Sequence, residues 1–213
     1  MKLTSPVPYI LITLALSGLH AFAGKDADLK PSLAKPGATL AEDGFADSSL
    51  GKTWSVAKGT WTVKDGALVG AEKPEDKHAA VLTLAKPNHN SILRFSFKLD
   101  GTDGLALSFN HAKGHLFRIA LSPTGVAANM DKDKKDPKSK ALPLGKAAGK
   151  FEKGQWYTML VEVQGSRIAV QTDNGVKLEA SNPGIDVDKT GYRFVMRGAS
   201  LALDDVKAWE ALP

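Results

Sequence analysis

Apolar and polar residues alternate with a period of two along most of this chain, the signature of strands that bury one face. Between Gly59 and Gly70 the sequence reads GTWTVKDGALVG. Trp61 and Val63 alternate with Thr60, Thr62 and Lys64, Asp65-Gly66 reverses the chain, and Leu68 restarts the apolar phase. Asp-Gly supplies the positive φ of a tight primed turn, so this stretch predicts a β-hairpin. In 91–99 (SILRFSFKL), Leu93, Phe95, Phe97 and Leu99 take one face and Arg94, Ser96 and Lys98 the other; in 105–110 (LALSFN), Leu105, Leu107 and Phe109 oppose Ala106, Ser108 and Asn110. Comparable segments run over 79–84, 115–121, 155–163, 167–172, 177–180, 192–197 and 201–209. Asp100-Gly101, Gly165-Ser166, Asn174-Gly175 and Asn182-Pro183-Gly184 punctuate them. The best helical candidate, 141–151, is interrupted by Pro143, Gly145 and Gly149. About ten short strands, each burying one face, must double over, which predicts an all-β sandwich of two antiparallel sheets.

The first residues follow another pattern. Lys2 precedes an apolar run from Val7 to Leu19, and Ala21-Phe22-Ala23 offers small residues where a signal peptidase reads. The run contains Pro8, Ser17 and Gly18 and is shorter than the ~20 residues of a membrane span. An export signal over 1–23 is the expectation, with a periplasmic or extracellular product and no membrane span after cleavage. Residues 24–39 hold two prolines and scattered charge and read as a flexible linker, leaving 40–213 as one domain. With no cysteine, disulfides and thiolate metal sites are excluded. The 28 basic and 23 acidic residues give a modest net charge of +5. Much of the excess lies in 131–150, where seven lysines meet three aspartates without an aromatic residue for base stacking. That run reads as a solvated loop and not as a nucleic-acid platform.

The Phe45-Ala46-Asp47 opening, the tryptophan hairpin, DKHAAVL at 76–82, GHLF at 114–117, Gly154-Gln155-Trp156 and the closing LDDVKAW together resemble the 3-keto-disaccharide hydrolase domain family. That family is also described as family sixteen glycoside hydrolase-like. The resemblance runs from about Leu40 to Trp209 and implies a concanavalin A-like jelly roll whose concave sheet faces a carbohydrate. The chain departs from true family sixteen glycosidases, which carry an acid and a nucleophile on one strand about 5 Å apart. Here Glu72, Glu75 and Asp76 sit in a proline-containing loop stretch, and Glu162 stands alone in an apolar strand. A 3-keto sugar permits another route. Its carbonyl acidifies the neighbouring C–H, so a single base with help for the enolate suffices.

His115 and His78 each begin a strand segment. As neutral imidazoles they can serve as base, as sugar hydrogen-bond partners, or as two ligands of a divalent ion completed by Asp76 or Asp103. His78 and His115 are far apart in sequence, and His111, four residues before His115, is separated from it by a turn at Gly114, so spacing does not support the metal version and no cofactor is expected. Arg118 or Arg197 would steady oxyanion charge. Arg94, Ser96, Ser108, Asn110, Arg118 and Arg197 take the polar parity of their strands; if those strands are neighbours, they make a basic floor for hydroxyls and carboxylates. The same parity describes a solvated outer face. Of the tryptophans, Trp61 and Trp209 read as core, and Trp54 and Trp156, at the starts of strands, as the pair available to stack on a pyranose. A monomer that handles carbohydrate, as an enzyme on 3-keto or otherwise modified glycosides, is the expectation, with a non-catalytic carbohydrate-binding or structural envelope module as the alternative.

Overall fold

The computed structural model describes residues 29–133 and 135–213. The export signal expected at 1–23 lies outside the described residues. The described residues form fifteen strands. These are β1 (Lys35–Asp43), β2 (Trp54–Lys58), β3 (Thr60–Lys64), β4 (Ala67–Ala71), β5 (Ala80–Leu84), β6 (Ser91–Leu99), β7 (Leu105–His111) and β8 (Gly114–Ser122). They continue with β9 (Gly125–Met130), β10 (Leu142–Ala148), β11 (Trp156–Gln164), β12 (Arg167–Thr172), β13 (Lys177–Ser181), β14 (Gly191–Met196) and β15 (Leu201–Leu212). The hairpin β3–β4 turns where Asp65-Gly66 requires it, with φ of 52° and 75°.

Two antiparallel sheets result. One has the order β13-β12-β11-β6-β15-β4-β3, with β1 added along the far half of β15; the other has the order β10-β9-β8-β7-β14-β5-β2. Between them lies the apolar parity of each strand. Phe95 of β6 meets Phe194 of β14 edge to face at 5.3 Å, and Phe109 stacks on Phe117 at 4.4 Å. Trp61 is buried as expected.

Four expectations change. Residues 35–39 belong to β1 instead of to a flexible linker, because β15 offers them a free edge from Leu212 back to Val206. Within the lysine-rich 131–150, the segment 142–148 is β10, an edge strand that tolerates Pro143. Trp54 is 7% exposed and bonds Asp43 Oδ2 through Nε1 at 2.8 Å, so it packs in the core beside Phe45 and Phe194. Trp209, expected in the core, points outward because the β15 ladder slips one register step between Asp204 and Lys207. Asp205 takes φ 45° at that bulge, and its N–H donates to Asp204 Oδ1 at 2.7 Å.

The outer face of the eight-stranded sheet is partly covered by the chain's own beginning. Ile92, Leu160 and Ala211 form a second apolar cluster there, packed with Leu29, Ala34 and Trp209. Glu162, fully buried on the same face, accepts three backbone N–H groups and a hydroxyl. Ser32 N donates at 2.7 Å, Leu33 N at 2.8 Å, Ala34 N at 3.2 Å and Ser32 Oγ at 3.0 Å. This accounts for the lone acid in an apolar strand, since a buried carboxylate needs such donors. The other sheet's outer face stays open.

Candidate functional site

A cleft of about 770 Å³ lies on the open outer face of the seven-stranded sheet. Its floor follows from strand register. Arg118 of β8 pairs with Ser108 of β7, which pairs with Arg193 of β14, which pairs with Thr83 of β5. Two guanidinium-bearing residues therefore flank one serine in a single cross-strand row, two strands or about 10 Å apart. The next row along reads Ala120, Ala106, Val195 and Val81, small side chains that leave space above the floor. The loop 101–104 and Gly198 wall one end. Gly198 has φ 105° and its back rests on the Gly101 carbonyl, a position for glycine alone. Glu72 ties this wall down. Its Oε2 accepts Gly198 N at 2.7 Å, and its Oε1 accepts from Arg197 at 3.3 Å.

His115 reaches the cleft through an irregularity. Strict alternation would put it on the same side as Phe117, Ile119 and Leu121, inside the sandwich. The β7–β8 ladder shifts by one step between Phe109 and Asn110, so Phe109 faces Phe117 while Asn110 faces His115. Leu116 is the extra residue and turns into the core. Such a bulge re-aims the side chain beside it. His115 is thereby brought to the face of Arg118, and its Nδ1 lies 3.2 Å from Asn110 Oδ1. A carboxamide oxygen only accepts, so Nδ1 is the donor of this bond, and in the neutral ring Nε2 is then the basic nitrogen. Arg118 is held by Asp131, whose Oδ1 accepts from both Nε and Nη2, with Nε at 2.6 Å. The Asp131 side chain is 6% exposed against 43% for Arg118, so the pair presents the cation outward.

Of the residues singled out by sequence, His115, His78, Arg118 and Arg197 line this cleft, and Asn110 stands beside His115. His78 and His115 do not act on one atom. The β5 ladder begins at Ala80, in one row with Met196 and Leu105, and His78 lies two residues before it, whereas His115 faces Asn110, so the two are more than five residues or about 16 Å apart along the strands. His78 is exposed and its Nδ1 lies 2.8 Å from its neighbour's carbonyl, Ala79 O. The carboxylates suggested as their metal partners are engaged elsewhere. Asp76 accepts Gly59 N at 2.6 Å, a bond that with the neighbouring Lys58 lowers its pKa. Asp103 is 95% exposed near Lys153. Among the described residues no group of three or more His, Cys, Asp or Glu is arranged to hold a metal ion.

Arg94 and Trp156 belong to the other sheet. Arg94 pairs with Asp205 at 3.1 Å, and Trp156 lies under Lys98 Nζ at 5.4 Å. The single floor expected from polar parity is therefore two faces on opposite sides of the sandwich. β6 and β7 are consecutive in sequence but lie in different sheets. Arg193, which the sequence reading did not single out, shares the parity of Arg197 in GYRFVMRG, and that alternation is the signal that identifies it. Among the described residues that line the cleft Asp103 is the only carboxylate, so they offer no acid pair for glycoside hydrolysis.

Among the described residues no helix is long and apolar enough to cross a membrane. The family described as 3-keto-alpha-glucoside-1,2-lyase-like domain matches residues 41–192. No curated protein matches the chain by sequence. Among solved structures, it is similar to the carbohydrate-binding module CBM66 from Bacillus subtilis, at 13% identity and TM-score 0.61 over 74% of this chain and 96% of that one. It is also similar to a Bacillus subtilis protein of unknown function with a galectin-like fold, at 14% identity and TM-score 0.63 over 84% and 99% of the two chains. A third is SCLam, a non-specific endo-β-1,3(4)-glucanase from family GH16, at 13% identity and TM-score 0.59 over 84% and 95%. At such identities these likenesses show the fold, a concanavalin A-like jelly roll.

Proposed function

The chain belongs to the 3-keto-alpha-glucoside-1,2-lyase-like domain family, and from that premise we propose that it cleaves 3-keto glycosides by elimination within the cleft of the seven-stranded sheet. The observation that carries this reading is the β8 bulge, which gives His115 and Arg118 a common face. His115 Nε2 takes the proton from C2, which the C3 ketone acidifies. The electron pair left at C2 is delocalised onto the ketone oxygen as an enolate, which Arg118 stabilises through its Nη1 group while Asp131 holds Nε and Nη2. Collapse of the enolate forms the C1–C2 double bond and breaks the C1–O bond. The departing alkoxide takes a proton, and the products are an alcohol and an unsaturated 3-keto sugar.

This chemistry asks for one base and one cation, which suits a cleft without a carboxylate pair. Asn110 acts as a positioning residue that fixes the tautomer of His115. The enzyme works after export, in the periplasm or outside the cell, a reading supported by the signal-like sequence of 1–23. The test is incubation with 3-keto-disaccharides and their unoxidised parents. Release of the aglycone sugar from the keto form alone supports elimination. Saturable binding of glycans with no product from either form would instead identify a binding module, a reading that the missing acid pair also accommodates.

A further inference from the structure

We propose that Arg193 is an anion-recognition residue and that the glycan taken by the cleft carries a carboxylate, as a uronic acid does. This rests on the reading of the cleft as the carbohydrate site and names the class of sugar it selects. Arg193 is half-buried on the cleft floor and, among the described residues, has no ion pair or hydrogen bond from its guanidinium. Its neighbours on this face by register are Ser108, Thr83, Val195, Ala106, Val81 and Asn110, all uncharged and mostly small. The two other arginines of the cleft have their own acids, Asp131 for Arg118 and Glu72 for Arg197. Asp103, the one acid of the lining, faces Lys153 at 3.7 Å and is almost fully exposed.

Arg193 is thus a permanent cation without a counter-charge, seated in a bowl with room above it. A neutral sugar needs hydroxyl acceptors and donors, of the kind Ser108 supplies on the cleft floor. A guanidinium adds a planar fork that matches a carboxylate through two parallel hydrogen bonds. Because Arg118 lies two strands or about 10 Å away, the two cations address different parts of one ligand. Arg118 serves the reacting ketone and Arg193 the acidic group beside it.

The experiment is an array of matched glycan pairs that differ only in a carboxylate or a hydroxymethyl group at C6, together with their sulfated counterparts. It is probed with the wild-type chain and with Arg193→Gln and Arg193→Lys, whose folding is checked by thermal unfolding. Wild-type protein is expected to favour the carboxylated member of its best pair by about 10- to 100-fold, the range for a hydrogen bond to a charged group. Arg193→Gln is expected to erase that preference by weakening the carboxylated member far more than the neutral one, and Arg193→Lys to keep part of it. Equal binding of both members, a preference that survives Arg193→Gln, or a preference for sulfate over carboxylate overturns the proposal while leaving the cleft as a sugar site. Folded wild-type protein that binds no glycan overturns both readings.

Discussion

Lys189 shows how much a single residue's surroundings can govern behaviour in this protein. Its side chain is buried, Nζ donates to His89 O at 2.6 Å, and burial lowers its pKa from 10.5 to about 8, against the partial support of Asp186 and Asp188. Between those two values the unfolded chain holds a proton that the folded chain does not. Stability therefore rises with pH across that window. Thermal unfolding of wild type should show this rise from about pH 8 upward, and Lys189→Met should flatten it; parallel curves would show that Lys189 is not the group responsible. At the site, Asn110→Ala should lower kcat with little change in KM, because it frees the His115 ring to turn and to change tautomer, and steady-state kinetics separate the two effects. Residue type and place at the start of a strand pointed to His115, and strand parity to Asn110 and Arg118. The acid behind Arg118 was not legible. Asp131 lies in a lysine-rich run whose composition describes a solvated loop, yet its carboxyl is buried against a strand thirteen residues earlier.

Regular alternation made β6 and β7 readable, because each buries one apolar face along its length, whereas β11 was readable as a short apolar run, being buried on both faces. The elements missed are those whose partners override local composition. β1 and β10 contain prolines and pair along one side only, where a missing N–H costs nothing. The bulges in β8 and β15 are invisible to a period-two reading, although one delivers His115 to the cleft and the other turns Trp209 outward. The segment 29–34 is held by Glu162, and that linkage can be tested. Glu162→Ala leaves three N–H groups and a hydroxyl without their acceptor and should cost about 2–4 kcal/mol. A urea unfolding midpoint lowered with an unchanged m-value would agree, whereas a midpoint within error of wild type would show that the segment contributes nothing to stability. Glu162→Gln, which keeps one oxygen acceptor, should lie between the two.

In the whole molecule, the sandwich separates two outer faces that the sequence cannot tell apart, since β6 and β7 carry the same alternation but lie in different sheets. Their roles should differ. Arg94→Ala and Trp156→Ala lie across the core from the cleft and should leave turnover and glycan binding within twofold of wild type, while Arg118→Ala should lose most turnover. Comparable losses from both faces would relocate the site. The central claim is that His115 removes the C2 proton of a 3-keto glycoside, and a substrate carrying deuterium at C2 tests it directly. Wild-type protein should release deuterium to solvent in step with cleavage, and His115→Ala should slow both together by about 10²- to 10⁴-fold, the usual contribution of a general base. Cleavage that leaves the deuterium in the sugar product, or that proceeds unchanged in His115→Ala, would contradict the account.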